Sequence, residues 1–190
     1  MGVPRRPVEP PTAEQAAFLE RAIAEYGKAT YNFAYRLTQN ESDARDLTQD
    51  AFIRVYRAWR SFQPGTSFLS WIYRIVTNLY RDELRRRKGR FHEEIPEDNA
   101  PQEFGGQRPL AVTPIEDYVE GQLSEPLSQA LQMLSPEQRQ VVMLADIEEY
   151  SYQEISEIMG CSIGTVRSRL HRARALLRRL IQRQQQQQQR

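Results

Sequence analysis

At 190 residues, 39% of them hydrophobic, the chain has the length for one large domain or two small ones. A mean hydropathy of −0.70 limits the cores to modest size. The net charge of +1 conceals 26 basic and 25 acidic residues, so a charged partner has to be sought in local segregation, not in the total. The single cysteine, Cys161, excludes an internal disulfide, and the two distant histidines, His92 and His171, outline no metal site. No apolar run has the length to span a bilayer. Arg5 and Arg6 lead into prolines and not into an apolar stretch, unlike a signal peptide. The composition therefore describes a soluble, cytoplasmic protein with no metal, no cofactor and no membrane insertion.

Residues 1–11 are rich in proline and arginine and read as disordered. Thr12 and Gln15 open a helix whose apolar stripe includes Phe18, Ala22 and Tyr26, and aromatics recur at Tyr31, Phe33 and Tyr35. A second helix runs roughly from Asp43 to Trp59. Leu47, Ala51, Phe52, Val55, Tyr56 and Trp59 form its apolar side, and Asp46, Gln49 and Asp50 lie elsewhere on it. After a turn at Pro64-Gly65, a third helix spans about Ser67 to Lys88, with Phe68, Ile72, Ile75 and Leu79 facing inward. Residues 12–90 thus make one helical domain.

Phe91 to Pro126 carries nine acidic residues against one arginine, with five prolines and three glycines. Residues 91–122 accordingly read as an extended, self-repelling linker. A second helical domain follows over residues 123–183. Ser135-Pro136-Glu137-Gln138 is a capping box with proline at the first helical position, and Val141, Val142, Leu144, Ala145 and Ile147 supply an apolar wall. Ser151 and Glu154 form another capping box, Gly160 ends that helix, and Ser162 caps the next. The remaining residues, 184–190, are a glutamine-rich tail read as lacking fixed structure. No strand pattern stands out, so the fold class is all-α: two small helical domains on a flexible acidic linker.

Two rows of side chains carry chemistry. From Ser162 to Arg183 there are seven arginines and no acid, while Val166, Leu170, Ala173 and Leu177 keep an apolar seam. Two capped helices around a glycine corner, the second strongly basic, have the form of a DNA-reading helix-turn-helix. The alternative is a helical hairpin with a solvated basic face. In the first domain Trp71, Arg74, Asn78, Arg81 and Arg85 recur at spacings of 3, 4, 3 and 4, which puts them on one helix face. Aromatic and guanidinium groups interleaved in this way suit a strand with unstacked bases. The alternative there is partly buried aromatics beside a solvated basic helix end. The acidic face of the second helix suits a basic protein helix or, equally, plain solvent. No nucleophile–base pair or phosphate loop is legible, so no catalytic residue is assigned and the protein is read as no enzyme.

DARDLTQDAFIRVYRAWRSF and SFLSWIYRIVTNLYRDELRRR resemble region 2 of bacterial RNA polymerase sigma factors. LSPEQRQVVMLADIEEYSYQEISEIMGCSIGTVRSRLHRARALL resembles their region 4. A short acidic segment where other sigma factors carry region 3 is similar to the extracytoplasmic-function (ECF) subgroup. The resemblance implies a transcription initiation factor that binds core RNA polymerase through its β′ and β subunits and reads promoter DNA, both duplex and melted strand. It implies that Asp46, Leu47, Gln49 and Asp50 dock on polymerase. It assigns Phe68, Trp71, Tyr73, Arg74 and Asn78 to the −10 element and the opened strand, with Arg81, Arg85, Arg86 and Arg87 in the neighbouring basic segment. Thr165, Arg167, Ser168, His171 and Arg172 fall at recognition-helix positions that face the −35 element, where His171 departs from the aromatic often found. It also implies an anti-sigma factor as partner, a class with membrane-bound members, and a linker threaded toward the RNA exit path. A conventional helix-turn-helix activator or repressor is the rival reading; it leaves the row on the third helix without a purpose.

Overall fold

The structure, a computed structural model, describes residues 12–63, 65–89 and 125–188. Among the described residues every regular element is helical. Helix α1 (Ala13–Thr38) begins where the Thr12 side chain accepts from the Gln15 N–H, and it runs unbroken through the aromatic stretch. It ends at Gln39, whose φ of 54° turns the chain and whose N–H returns to the Tyr35 carbonyl. Asn40 then caps α2 (Glu41–Ala58) by accepting from the Asp43 N–H. A connection this short makes α1 and α2 antiparallel neighbours. A 3₁₀ turn (Trp59–Ser61) and a loop lead to α3 (Phe68–Gly89), which closes the first lobe against both.

The inward stripe of α3 differs in part from the expected one. Phe68, Ile72 and Leu79 are buried as expected, but Ile75 is only half-buried, whereas Tyr73, Val76, Thr77 and Tyr80 are also buried. The cause is that α3 is covered on two sides. Helices α1 and α2 pack on one, and a helix of the second lobe packs on another.

The second lobe comprises α4 (Glu125–Gln132), α5 (Pro136–Val142), a π-helical segment (Met143–Ile147), α6 (Tyr152–Met159) and α7 (Ile163–Gln188). Both capping boxes form, with reciprocal bonds between Ser135 and Gln138 and between Ser151 and Glu154. Gly160 takes the left-handed conformation at φ 61°, and its N–H reaches the Ser156 carbonyl. Ser162 Oγ accepts from the Thr165 N–H at 3.1 Å and starts α7. Leu131, Val141, Leu144, Ile155, Val166, Leu170 and Ala173 fill the core of this lobe. That core is continuous with the core of the first lobe.

Two features depart from the sequence reading. The wide turn at Met143–Ile147, in which the Glu148 N–H reaches back to the Met143 carbonyl at 3.0 Å, was not foreseen. It directs Glu148 and Tyr150 toward α1 and α3. The glutamines, expected to lack structure, instead extend α7 as far as Gln188, and Gln184 Nε2 donates to Gln129 Oε1 at 3.2 Å. Glutamine is a good helix former, and lengthening an existing helix needs no new nucleus. The expected disordered N-terminus (1–11) and acidic linker (91–122) lie outside the described residues. No described helix is long and apolar enough to cross a membrane, and no described cluster of His, Cys, Asp or Glu could hold a metal ion.

Candidate nucleic-acid and polymerase interfaces

On α7, Val166, Leu170 and Ala173 are sealed against α5 and α6, which turns the opposite face outward. Arg167, His171 and Arg172 are fully on that face, and Thr165 and Ser168 are half-exposed at its edge. Ser168 Oγ donates to the Thr165 carbonyl at 3.1 Å, so its hydroxyl is already oriented. Arg174, one turn on, is committed elsewhere: its guanidinium grips the Asp146 carboxylate, with Nε–Oδ2 at 3.2 Å. All five expected residues therefore lie together on one helix surface, as a groove-reading element requires.

The row on α3 is more divided. Arg74, Arg85 and Arg86 are exposed, while Trp71, Asn78 and Arg81 are half-buried. Trp71 joins an aromatic cluster, 5.4 Å from Phe62 and 5.6 Å from Phe68 between ring centres. Phe68 is buried and stacks on Tyr26 at 4.6 Å, which makes it a structural member of that cluster. Tyr73 is 1% exposed, with its ring stacked on Phe33 at 4.2 Å and its hydroxyl donating to Glu148 Oε2 at 2.9 Å. Burial and the neighbouring Glu148 carboxylate both push its phenol far above the usual tyrosine range. Asn78 Oδ1 accepts from Arg81, which also donates to the Met159 carbonyl at 3.4 Å. Arg85 pairs with Asp82 at 3.5 Å, Arg86 with Glu83 at 2.9 Å, and Arg87 with Asp43 and Glu83 at 2.9 and 3.0 Å. Exposed pairs of this kind are weak and exchange readily for phosphate.

On α2, Asp46 and Asp50 are exposed and Gln49 is half-buried. Partial desolvation and the adjacent Asp46 raise the Asp50 carboxyl, against the pull of Arg86 and Arg54. A cationic partner would relieve that crowding of negative charge. Leu47, expected on the same surface, is instead 8% exposed and belongs to the core, so it holds the helix in place beneath the acidic face.

A further set of polar residues was missed by the sequence reading, and it joins the lobes. Arg36 Nη1 lies 2.7 Å from Glu148 Oε1. Within the first lobe Tyr80 donates to the Leu37 carbonyl at 3.0 Å, and its hydroxyl accepts from Arg139 of the second lobe at 3.4 Å. Arg139, only 9% exposed, donates to the Leu37 carbonyl at 2.6 Å and to the Leu131 and Gln132 carbonyls at 3.0 and 3.1 Å. One guanidinium thereby satisfies the last-turn carbonyls of two helices, α1 and α4, whose C-terminal ends favour a cation. Ser128 Oγ donates to Gln39 Oε1 at 2.5 Å. Nothing in local periodicity marks the pairs that cross between the lobes, because those partners lie far apart in the chain.

Among the described residues every element is helical, and a basic helix in one lobe with an aromatic–basic helix in the other has the form of a DNA-binding protein with two contact surfaces. Comparison with known proteins narrows this. Residues 22–90 match the family "Sigma-70 region 2" and residues 124–177 match "Sigma-70, region 4". The ECF RNA polymerase sigma factor SigE of Mycolicibacterium smegmatis is 43% identical over 171 residues, covering 88% of this chain and 63% of that relative. SigW of Bacillus subtilis, another ECF sigma factor, is 33% identical over 177 residues, covering 88% of this chain and 90% of that relative. Among solved structures, the sigma factor RpoE of Bartonella quintana, in complex with the anti-sigma factor NepR, matches with a TM-score of 0.65 at 26% identity, covering 87% of this chain and 97% of that one. The chain belongs to the ECF sigma factors, a family of transcription initiation factors.

Proposed function

We propose that this sigma factor binds core RNA polymerase through the acidic face of α2, with contacts to the β′ and β subunits. It then directs polymerase to promoters by reading the −35 element with α7 and the −10 element with α3. The observation that carries the reading is the outward row Thr165–Arg167–Ser168–His171–Arg172 on a chain that also bears Trp71, Arg74, Asn78, Arg81, Arg85 and Arg86 on a second helix. Base-edge contacts from the first row supply specificity, and phosphate contacts from both supply salt-dependent affinity. Phe68 supports the −10 surface from beneath; Tyr73 belongs to it once uncovered. The working units are residues 12–90 and 123–183, joined by the linker 91–122 and followed by the tail 184–190. The factor works in the cytoplasm by binding, not by turnover, and needs no cofactor. An anti-sigma factor such as the partner seen with the Bartonella relative holds it inactive.

The test is to add the purified chain to purified core polymerase on fragments of its own genome and sequence the transcript starts. Promoter-specific starts that depend on the chain are expected. Tight duplex binding without polymerase, and no gain of initiation with it, would mark a conventional repressor or activator instead.

A further inference from the structure

Helix α7 is much longer than the reading assigned to it. Its 26 residues span about 39 Å, whereas the row from Thr165 to Arg172 lies within the first three turns. The helix runs on past Leu177, where the match to region 4 ends, as far as Gln188. This extension is held in place. Leu176, Leu177, Leu180 and Ile181 keep one side of it against the core, α4 packs along α7, and Gln184 Nε2 donates to Gln129 Oε1 of α4 at 3.2 Å. Its other side carries Arg178, Arg179 and Arg183, all exposed and, among the described residues, without an ion-pair partner. The exposed arginines of α3 differ: Arg85, Arg86 and Arg87 each have a carboxylate within 3.5 Å.

These three arginines fall on the face that holds the reading row. Arg178 follows Arg167 by three turns to within about 20°, and Arg183 follows Arg172 by the same interval; Arg179 follows Arg172 by two turns. No acidic residue interrupts α7. One face of a rigid rod therefore presents guanidinium groups over about 24 Å, from Arg167 to Arg183. A straight helix stays inside a major groove about 12 Å wide for only a few turns, because the strands curve across its path. Its later turns then meet a phosphate wall, as the C-terminal end of a homeodomain reading helix does. We propose that Arg178, Arg179 and Arg183 form a second, sequence-independent contact of the same helix, gripping phosphates that border the −35 element outside the base pairs read by Arg167 and its neighbours. The proposal rests on the assignment of α7 to the −35 element. Continuity of face selects duplex DNA over an acidic protein or a lipid surface, since a rod laid in a groove keeps this side toward the same duplex. Arg179 and Arg183, four residues apart, repel each other in the unbound helix, and bound phosphates relieve that cost. The contact sets the strength and salt dependence of promoter binding and leaves base choice to the first three turns.

The experiment compares the parent chain with a variant carrying Arg178→Gln, Arg179→Gln and Arg183→Gln, each assembled with core polymerase on a promoter identified by transcript sequencing. Glutamine keeps the helix propensity and removes the charge. Fluorescence anisotropy reads promoter affinity between about 50 and 200 mM salt. The variant is expected to bind more weakly, with a salt exponent smaller by about 2–3, so that the parent's advantage shrinks about fortyfold across that range when all three contacts are made. The ranking of −35 base substitutions is expected to match that of the parent. Lysine at the same three positions restores the charge and is expected to restore the exponent, which a mere packing defect would not allow. Neutral methylphosphonates in place of the phosphates flanking the −35 element should lower the parent's exponent by the same amount, a reading that needs no altered protein. An unchanged exponent in a well-folded glutamine variant, or a changed ranking of −35 bases, would overturn the phosphate contact. So would loss of capture by core polymerase, or of binding to phosphatidylserine vesicles, with the exponent unchanged; those results would give the arginines to an acidic protein or to a membrane. Failure of the underlying −35 assignment looks different, because Arg167→Ala would then leave the −35 ranking untouched whatever the three arginines do.

Discussion

Neighbouring arginines of one helix have different fates, and that difference yields a prediction. Arg174 is held by Asp146, whereas Arg167 is exposed and, among the described residues, has no ion-pair partner. Arg167→Ala is therefore expected to relax preference at one −35 position, with a loss of about 1–3 kcal/mol if the contact is bidentate. Arg174→Ala should lower stability slightly and leave promoter choice alone. Transcription from a panel of −35 variants separates the two. On α2, Asp50→Arg is expected to abolish capture by core polymerase in a pull-down with the far-UV helix signal unchanged, because the side chain is exposed and its carboxyl already sits among like charges. Retained capture would remove Asp50 from the docking face. The row on α7 was readable from sequence because one helix face and one charge sign define it. The burial of Tyr73 was not, since spacing reports a helix face but not how many neighbours cover it; Phe68 and Leu47 did read as inward-facing, and only the resemblance set them on a binding surface.

At the scale of elements, the helix starts were legible because caps are local. Ser151 and Glu154, three residues apart, bond reciprocally, and the serine hydroxyl and backbone N–H together hold the Glu154 carboxyl below its usual range. Ser151→Ala is expected to lower stability by about 0.5–2 kcal/mol, read as a fall in Tm, without altering the surface of α7. The depressed carboxyl adds a sign: its contribution is present above the ordinary glutamate range and is lost as the pH falls through the folded value. Ser151→Ala should therefore flatten part of the acid side of the stability profile. The π-helical segment had no such local mark. Met143–Ile147 reads as ordinary helix, and its widening is fixed by where Glu148 and Tyr150 find partners on α1 and α3.

Across the whole molecule, two lobes were legible in the break between two helical patterns, but their docking was not. It depends on pairs such as Arg139 with Leu37 and Arg36 with Glu148, more than a hundred residues apart in sequence, and no periodicity encodes them. The same junction gathers three tyrosines whose phenols are raised, in each case first by burial. Tyr73 faces Glu148, Tyr150 and Arg36; Tyr80 faces Arg139, Arg87, Glu137 and Asp43; Tyr150 faces Glu148 and Glu154 as well as the hydroxyls of Ser67 and Ser70. The arginines oppose the shift, and burial prevails. Released into water, a tyrosine titrates near pH 10. A raised value in the docked form means that this part of the stability is complete below about pH 10 and declines as the pH climbs from there toward the docked values. Docking should therefore be insensitive to pH from about pH 7 to 9 and weaken progressively as the pH rises above about 10, read as the distance between lobes. Tyr73→Phe has no proton to lose at that position, so its alkaline profile should be shallower than that of the parent chain. Parallel profiles for parent and Tyr73→Phe would show that the Tyr73 phenol is not part of what holds the lobes together.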